Sequence, residues 1–132
     1  MNAPTHQESP YQRLGREAGI CQLVERFYER MDTLPEAKRI RDLHAADLTP
    51  MVEKLSVFLA GWMGGPQRYR ERFGRVIIPA AHEPFSIGTE ERDQWLLCMR
   101  HALESLPAEE ELIEQLMESF GQMADMCRTR ED

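Results

Sequence analysis

The chain has 132 residues, enough for a single domain with one buried core. With 16 Lys and Arg against 23 Asp and Glu, the formal net charge is −7, which excludes nucleic acid or an anionic membrane as the main partner because phosphate binding needs a concentrated positive face. The balance of 42% hydrophobic and 30% charged residues is that of a soluble protein, no apolar run approaches membrane-spanning length, and the start MNAPTHQESP lacks the basic and apolar regions of a signal peptide.

Residues 1–8 are polar and aperiodic and are expected to form a loose tail ahead of one domain over 9–128. Ser9-Pro10 reads as a helix start, a capping hydroxyl followed by a proline whose missing N–H costs nothing at the first helical position. That short helix should stop near Gly15. From about residue 18, Ile20, Leu23, Val24, Phe27, Tyr28 and Met31 fall on one helical face that ends before Pro35. A shorter piece, PEAKRIRDL, follows. Thr49-Pro50 reads as a second cap-and-proline start. Met51, Val52, Leu55, Phe58, Leu59 and Trp62 then repeat the helical spacing until Gly64-Gly65-Pro66 breaks it. Residues 66–88 show no sustained period, which predicts turns and short helical pieces in a connector long enough to be functional. Thr89 is expected to cap the next helix, with Glu90 and Glu91 at the positive end of its dipole. Its apolar face is Trp95, Leu96, Met99, Ala102, Leu103 and Leu106. After Pro107 a last helix carries Leu112, Ile113, Leu116, Met117, Phe120, Met123, Ala124 and Cys127 on one stripe. Nothing alternates with period two for long enough to make a sheet. The expected fold class is all-α, with four substantial helices.

Few residues stand out for chemistry. Cys21, Cys98 and Cys127 are odd in number and widely spaced, which reads as reduced thiols in a cytoplasmic protein. Of the four histidines, His6 lies in the tail, and His101 sits roughly 160° around its helix from the apolar stripe and should face water. His44 and His82 remain. There is no H-x-x-x-H, no H-x-x-E-H and no duplicated Glu-x-x-His, so a multi-histidine metal site is absent from the pattern. A one-histidine site stays open, because haem needs only one axial protein ligand. His82 lies in PAAHEPFSI, a stretch too interrupted for a long helix and too apolar for a solvent loop. The plainer reading is a partly buried histidine bonded to a backbone carbonyl. Tyr28 and Trp95 read first as core residues, yet each carries a donor that needs a partner when buried, and two such donors can converge on a small polar ligand. The eight methionines read as core filler, Glu109, Glu110 and Glu111 as a solvated cluster at a helix start, and the closing TRED carries no visible chemistry. No G-x-S-x-G, P-loop or dinucleotide fingerprint is present.

Three stretches taken together resemble the truncated haemoglobins, specifically their group II. They are RLGREAGICQLVERFYERM, LHAADLTP followed by EKLSVFLAGWMGGP, and AHEPFSIGTEERDQWLLCM, which span residues 11–100. The resemblance implies a globin-like, truncated two-over-two helical sandwich whose proximal helix is mostly loop. It implies haem b as cofactor, with His82 as the proximal iron ligand. By position, Tyr28 matches the distal tyrosine and Trp95 the group II tryptophan. Leu55 matches the apolar residue above the haem, and Met51, one turn earlier, stands where other globins often carry histidine or glutamine. His44 occupies a site usually held by an aromatic, and Phe85 matches the phenylalanine packed below the haem. Lys54 and Tyr69 align with positions that approach the propionates. The chain departs from the family at GRVIIPAAH, which is more apolar and poorer in cations than is usual there, and in splitting the early glycine pair into Gly15 and Gly19.

The function so implied is reversible binding of oxygen and other diatomic ligands such as CO and NO. Tyr28, Trp95 and His44 would donate to the ligand and slow its release. A haem-dependent peroxidase or nitric-oxide detoxifying enzyme served by a reductase is an alternative. A haem-free helical interaction domain on a globin scaffold is a second. Either a monomer or a homodimer agrees with the sequence.

Overall fold

The computed structural model describes residues 8–75 and 77–131; the expected tail, apart from Glu8, lies outside them, and His6 with it. Ser9 opens α1 (Pro10–Arg13) with a reciprocal cap. Its hydroxyl accepts from the Gln12 amide at 3.3 Å, while Gln12 Oε1 accepts from the Ser9 amide at 2.9 Å. Gly15, at φ +102°, then turns the chain into α2 (Arg16–Thr33), a backbone region that a side chain would strain. A single 3-10 turn, Pro35–Ala37, leads into α3 (Lys38–Asp42). The remaining elements are α4 (Thr49–Trp62), α5 (Arg68–Phe73), α6 (Ile78–His82), α7 (Thr89–Glu104) and α8 (Glu110–Met126). No strand occurs among the described residues.

Neither of the two later hydroxyl caps is used. At α4, Thr49 is the first helical residue, and Asp47 accepts from its amide at 3.0 Å. At α7, Gly88 is the capping position, and Glu91 reaches back to accept the Gly88 amide at 2.8 Å. In both places the helix begins one residue earlier than the hydroxyl predicts, capped at Leu48 and Gly88, whose carbonyls accept the first helical amides. His101 is half-buried, less exposed than its angle around α7 predicts.

The apolar stripes meet as their spacing requires. α2 packs on both α4 and α7, and α7 packs on α8, so α2 with α4 forms one layer and α7 with α8 the other. Phe27, Leu23, Val24, Leu59, Met99, Leu103 and Phe120 are fully buried between them. Phe120 on α8 joins the layers. The Trp62 ring stacks on it at 4.7 Å and the Trp95 ring lies at 5.5 Å. At the end of α4, Gly64-Gly65 lets the chain turn hard against α1, where the Tyr11 amide donates to the Met63 carbonyl at 3.1 Å. A Cβ on Gly65 would lie 2.6 Å from the Tyr11 ring and 2.8 Å from the Ala60 oxygen. Gly65→Ala should therefore cost about 1–3 kcal/mol in urea unfolding, as overpacking does. Gly121→Ala, on α8 with nothing within 4 Å of the added carbon, should instead stabilise the protein by about 0.5–1 kcal/mol.

Candidate functional site

α6 is five residues long, with Pro79 in its first turn and His82 at its end. The His82 Nδ1 lies 2.8 Å from the Ile78 carbonyl oxygen. A carbonyl only accepts, so Nδ1 carries the hydrogen and the neutral ring keeps its lone pair on Nε2. The bland reading of this histidine and the ligand reading are thus one geometry. The backbone bond fixes the tautomer and ring orientation that a metal would need.

His44 is held the same way, its Nδ1 2.8 Å from the Ile40 carbonyl. Burial holds its pKa below the ordinary 6.5, helped by the nearby charges of Arg41 and His82 against the opposing bond to Ile40. The two histidines therefore lie within electrostatic reach of each other. The His44 ring meets the Tyr28 ring edge-on at 5.9 Å. Phe27 makes edge contacts with Tyr28 at 4.9 Å and Trp95 at 5.0 Å, so α2, the segment after α3, and α7 bring three of the expected site residues into one cluster. Tyr28 is 5% exposed, and burial pushes its phenol far above the ordinary 10, so it stays a donor at every working pH. Among the described residues, neither the Tyr28 hydroxyl nor the Trp95 indole N–H has a protein acceptor. Neither atom is sealed in the core, and Trp95 is only half-buried, so both donors are open to a ligand.

Met51 and Leu55, one turn apart on α4, are partly buried against the core. Lys54 and Tyr69 come together: the ammonium lies 6.0 Å from the Tyr69 ring centre and 5.4 Å from that of Phe73. Lys54 has no carboxylate partner among the described residues, which leaves it free for an acidic group. Phe85 is 42% exposed and makes no ring contact with the others, while Phe73 and Ile77 on the same connector are 45% and 64% exposed. An apolar stretch, a histidine with a free Nε2, two donors without acceptors and an unpaired cation fit haem, an apolar macrocycle that carries an iron and two carboxylates.

Sequence reasoning missed the rings that join these residues, Phe27 and Phe120 above all, because helical spacing marks them only as core. It also left TRED without chemistry, whereas Thr129 and Arg130 bond to Ile87 and Glu91. No pattern in the sequence pairs residues so far apart. The cysteines are all free, and burial pushes the Cys98 and Cys127 thiols up to about 11, so both stay protonated. No helix among the described residues is long and apolar enough to cross a membrane, and no cluster of three or more His, Cys, Asp or Glu among them could hold an ion.

The chain matches the bacterial-like globin family over residues 9–129. It is 38% identical over 115 residues to the group 2 truncated haemoglobin YjbI of Bacillus subtilis (strain 168), covering 87% of this chain and 82% of that protein. Among solved structures, the group II 2-on-2 haemoglobin from the plant pathogen Agrobacterium tumefaciens is 36% identical over 100% of both chains, with a TM-score of 0.90. The truncated oxygen-avid haemoglobin from Bacillus subtilis is 35% identical over 92% of this chain and 99% of its own, with a TM-score of 0.82. The chain belongs to the bacterial-like globins, a haem-binding family whose members take diatomic gases, and within it to the group II truncated haemoglobins with their two-on-two fold.

The depressed His44 pKa has a measurable consequence. The unfolded chain takes up this proton more readily than the folded one, so the folded state loses stability as pH falls below about 6.5 and gains nothing further above it. His44→Gln should flatten the stability profile between about pH 5 and 7 relative to the parent, read from urea unfolding at several pH values.

Proposed function

We propose that the protein binds haem b through His82 Nε2 and holds oxygen tightly on the opposite face. Leu55, Met51 and Phe85 supply apolar contacts, and Lys54 with Tyr69 serves the propionates. Haem, when bound, supplies an iron centre that takes a diatomic ligand reversibly. Everything else is the work of this chain. The bond from His82 Nδ1 to Ile78 fixes the neutral tautomer whose lone pair is on Nε2 and aims that nitrogen without rotation of the ring. Tyr28 and Trp95 provide donors that no protein group among the described residues occupies, ready for the partial negative charge that oxygen gains on binding. His44, neutral at pH 7, adds a third polar group beside Tyr28.

The observation that carries this reading is the pair of donors gathered around Phe27 without protein acceptors among the described residues, in a chain that also holds a histidine of fixed tautomer. The oxygen-avid relative from Bacillus subtilis agrees with it. A hydrogen bond to a charged acceptor is worth about 1.5–3 kcal/mol, and 1.4 kcal/mol is about a factor of ten. Tight retention of this kind suits capture or sensing better than delivery.

The test starts with one equivalent of haemin, reduction, and visible spectra before and after carbon monoxide. The parent should give the sharp spectrum of a histidine-ligated ferrous–CO haem, and His82→Ala should lose or grossly alter it. A broad, weak spectrum that is the same in both would sink the reading. In stopped-flow experiments Tyr28→Phe and Trp95→Phe should each release oxygen about 10- to 100-fold faster. Carbon monoxide, which gains little charge on binding, should change far less.

A further inference from the structure

The C-terminal segment lies across the connector that follows His82. Beyond α8 the Thr129 and Arg130 amides both donate to the Ile87 carbonyl, at 2.7 and 3.1 Å. The Thr129 hydroxyl is used twice. It accepts from the Ile87 amide at 2.8 Å and donates to the Phe85 carbonyl at 2.5 Å. Arg130 pairs with Glu91 at 2.6 Å, and Arg128 folds back to donate to the carbonyls of Arg130, at 3.3 Å, and Glu131. On its other side, the Phe85 amide donates to the His82 carbonyl at 3.0 Å. Bonds therefore run without a gap from the His82 backbone through Phe85 to Thr129.

This chain of bonds has a job to do because α6 is too short to hold itself. Five helical residues are marginal in water, and residues 83–88 have no helix of their own. Left to solvent, such a connector opens locally and turns His82 through a range of angles. We propose that residues 128–131 form a strap that positions His82, with Thr129 acting through Phe85 and Ile87, and Arg130 acting through Glu91. The strap sets the angle at which His82 meets haem iron, and with it how firmly haem is retained. Thr129 is a positioning residue; it touches neither haem nor ligand. Glu91 also pairs with Arg39 on α3, next to the Ile40 whose carbonyl holds His44, so one carboxylate ties the strap to both histidine-bearing segments. The inference rests on the haem reading above.

The test compares Thr129→Val, which keeps the shape and removes the hydroxyl, with Thr129→Ser, which restores it. In haem-free protein, the Ile87 amide of the valine variant should exchange with solvent about tenfold faster than in the parent. In the ferrous haem form, the iron–histidine stretching band seen by resonance Raman should shift or broaden, and haem transfer to an acceptor globin should be about tenfold faster. The serine variant should restore all three. Unchanged Ile87 exchange overturns the strap. Faster exchange with the band and haem transfer unmoved overturns its action on His82 and leaves a tether of the chain end alone. If the parent itself shows no iron–histidine band, the haem reading fails, and this inference with it; the haem-free exchange experiment still reports on the strap separately.

Discussion

Glu91 is a charged side chain that the fold buries to 3% exposure. A buried carboxylate is costly unless every oxygen finds a donor, and removing one partner of such a pair costs about 3–5 kcal/mol. Here the donors come from three separate pieces of chain. The Gly88 amide caps α7, Arg39 reaches from α3 at 3.1 Å, and Arg130 arrives from the C-terminus at 2.6 Å. Burial opposes ionisation, yet the Gly88 amide and the two arginines outweigh it and hold the carboxyl below its ordinary range. α3 also leans on α7 through Gln94, which accepts from the Ile40 amide at 2.9 Å. The segment that carries His44, the start of the helix that carries Trp95 and the connector after His82 are thus referred to one point.

Much of this architecture was legible in the sequence. The four long helices follow from apolar residues at helical spacing, and Gly15 and Gly64-Gly65 mark turns that only glycine makes without strain or collision. The caps of α4 and α7 were misassigned to Thr49 and Thr89. A hydroxyl beside a helix start is a sound local signal, but Asp47 and Glu91 bond the Thr49 and Gly88 amides and the helices start a residue earlier. Local rules rank candidates one position at a time.

The candidate residues could be picked out of the sequence one by one, but not the cluster that Tyr28, Trp95 and His44 form. Tyr28, Trp95, His44 and His82 each stood out for their chemistry; Tyr28 and Trp95 meet through Phe27, a ring that spacing marks only as core, and His44 meets Tyr28. The strap was beyond sequence reasoning altogether. Its partners, Thr129 with Phe85 and Ile87, are 44 and 42 residues apart, and pairing at that range depends on how α8 returns along α7. A polar tail looks solvated until something polar is found waiting for it.

The same long-range pairing bears on how a connector would hold His82 as an iron ligand under the function proposed above. A long helix would fix a histidine through its own ladder of hydrogen bonds, whereas α6 has one turn and a proline in it. The missing rigidity has two sources: within α6 the Ile78 carbonyl holds the His82 ring, and from outside Thr129 holds the backbone that follows. Backbone position and ring orientation are then set by separate bonds. The connector can be short and apolar, with Phe73, Ile77 and Phe85 left at the surface where an apolar macrocycle would cover them, and still present one nitrogen in a fixed direction. In so short a helix one local bond orients the ring, and distant bonds from Thr129 hold the backbone beside it.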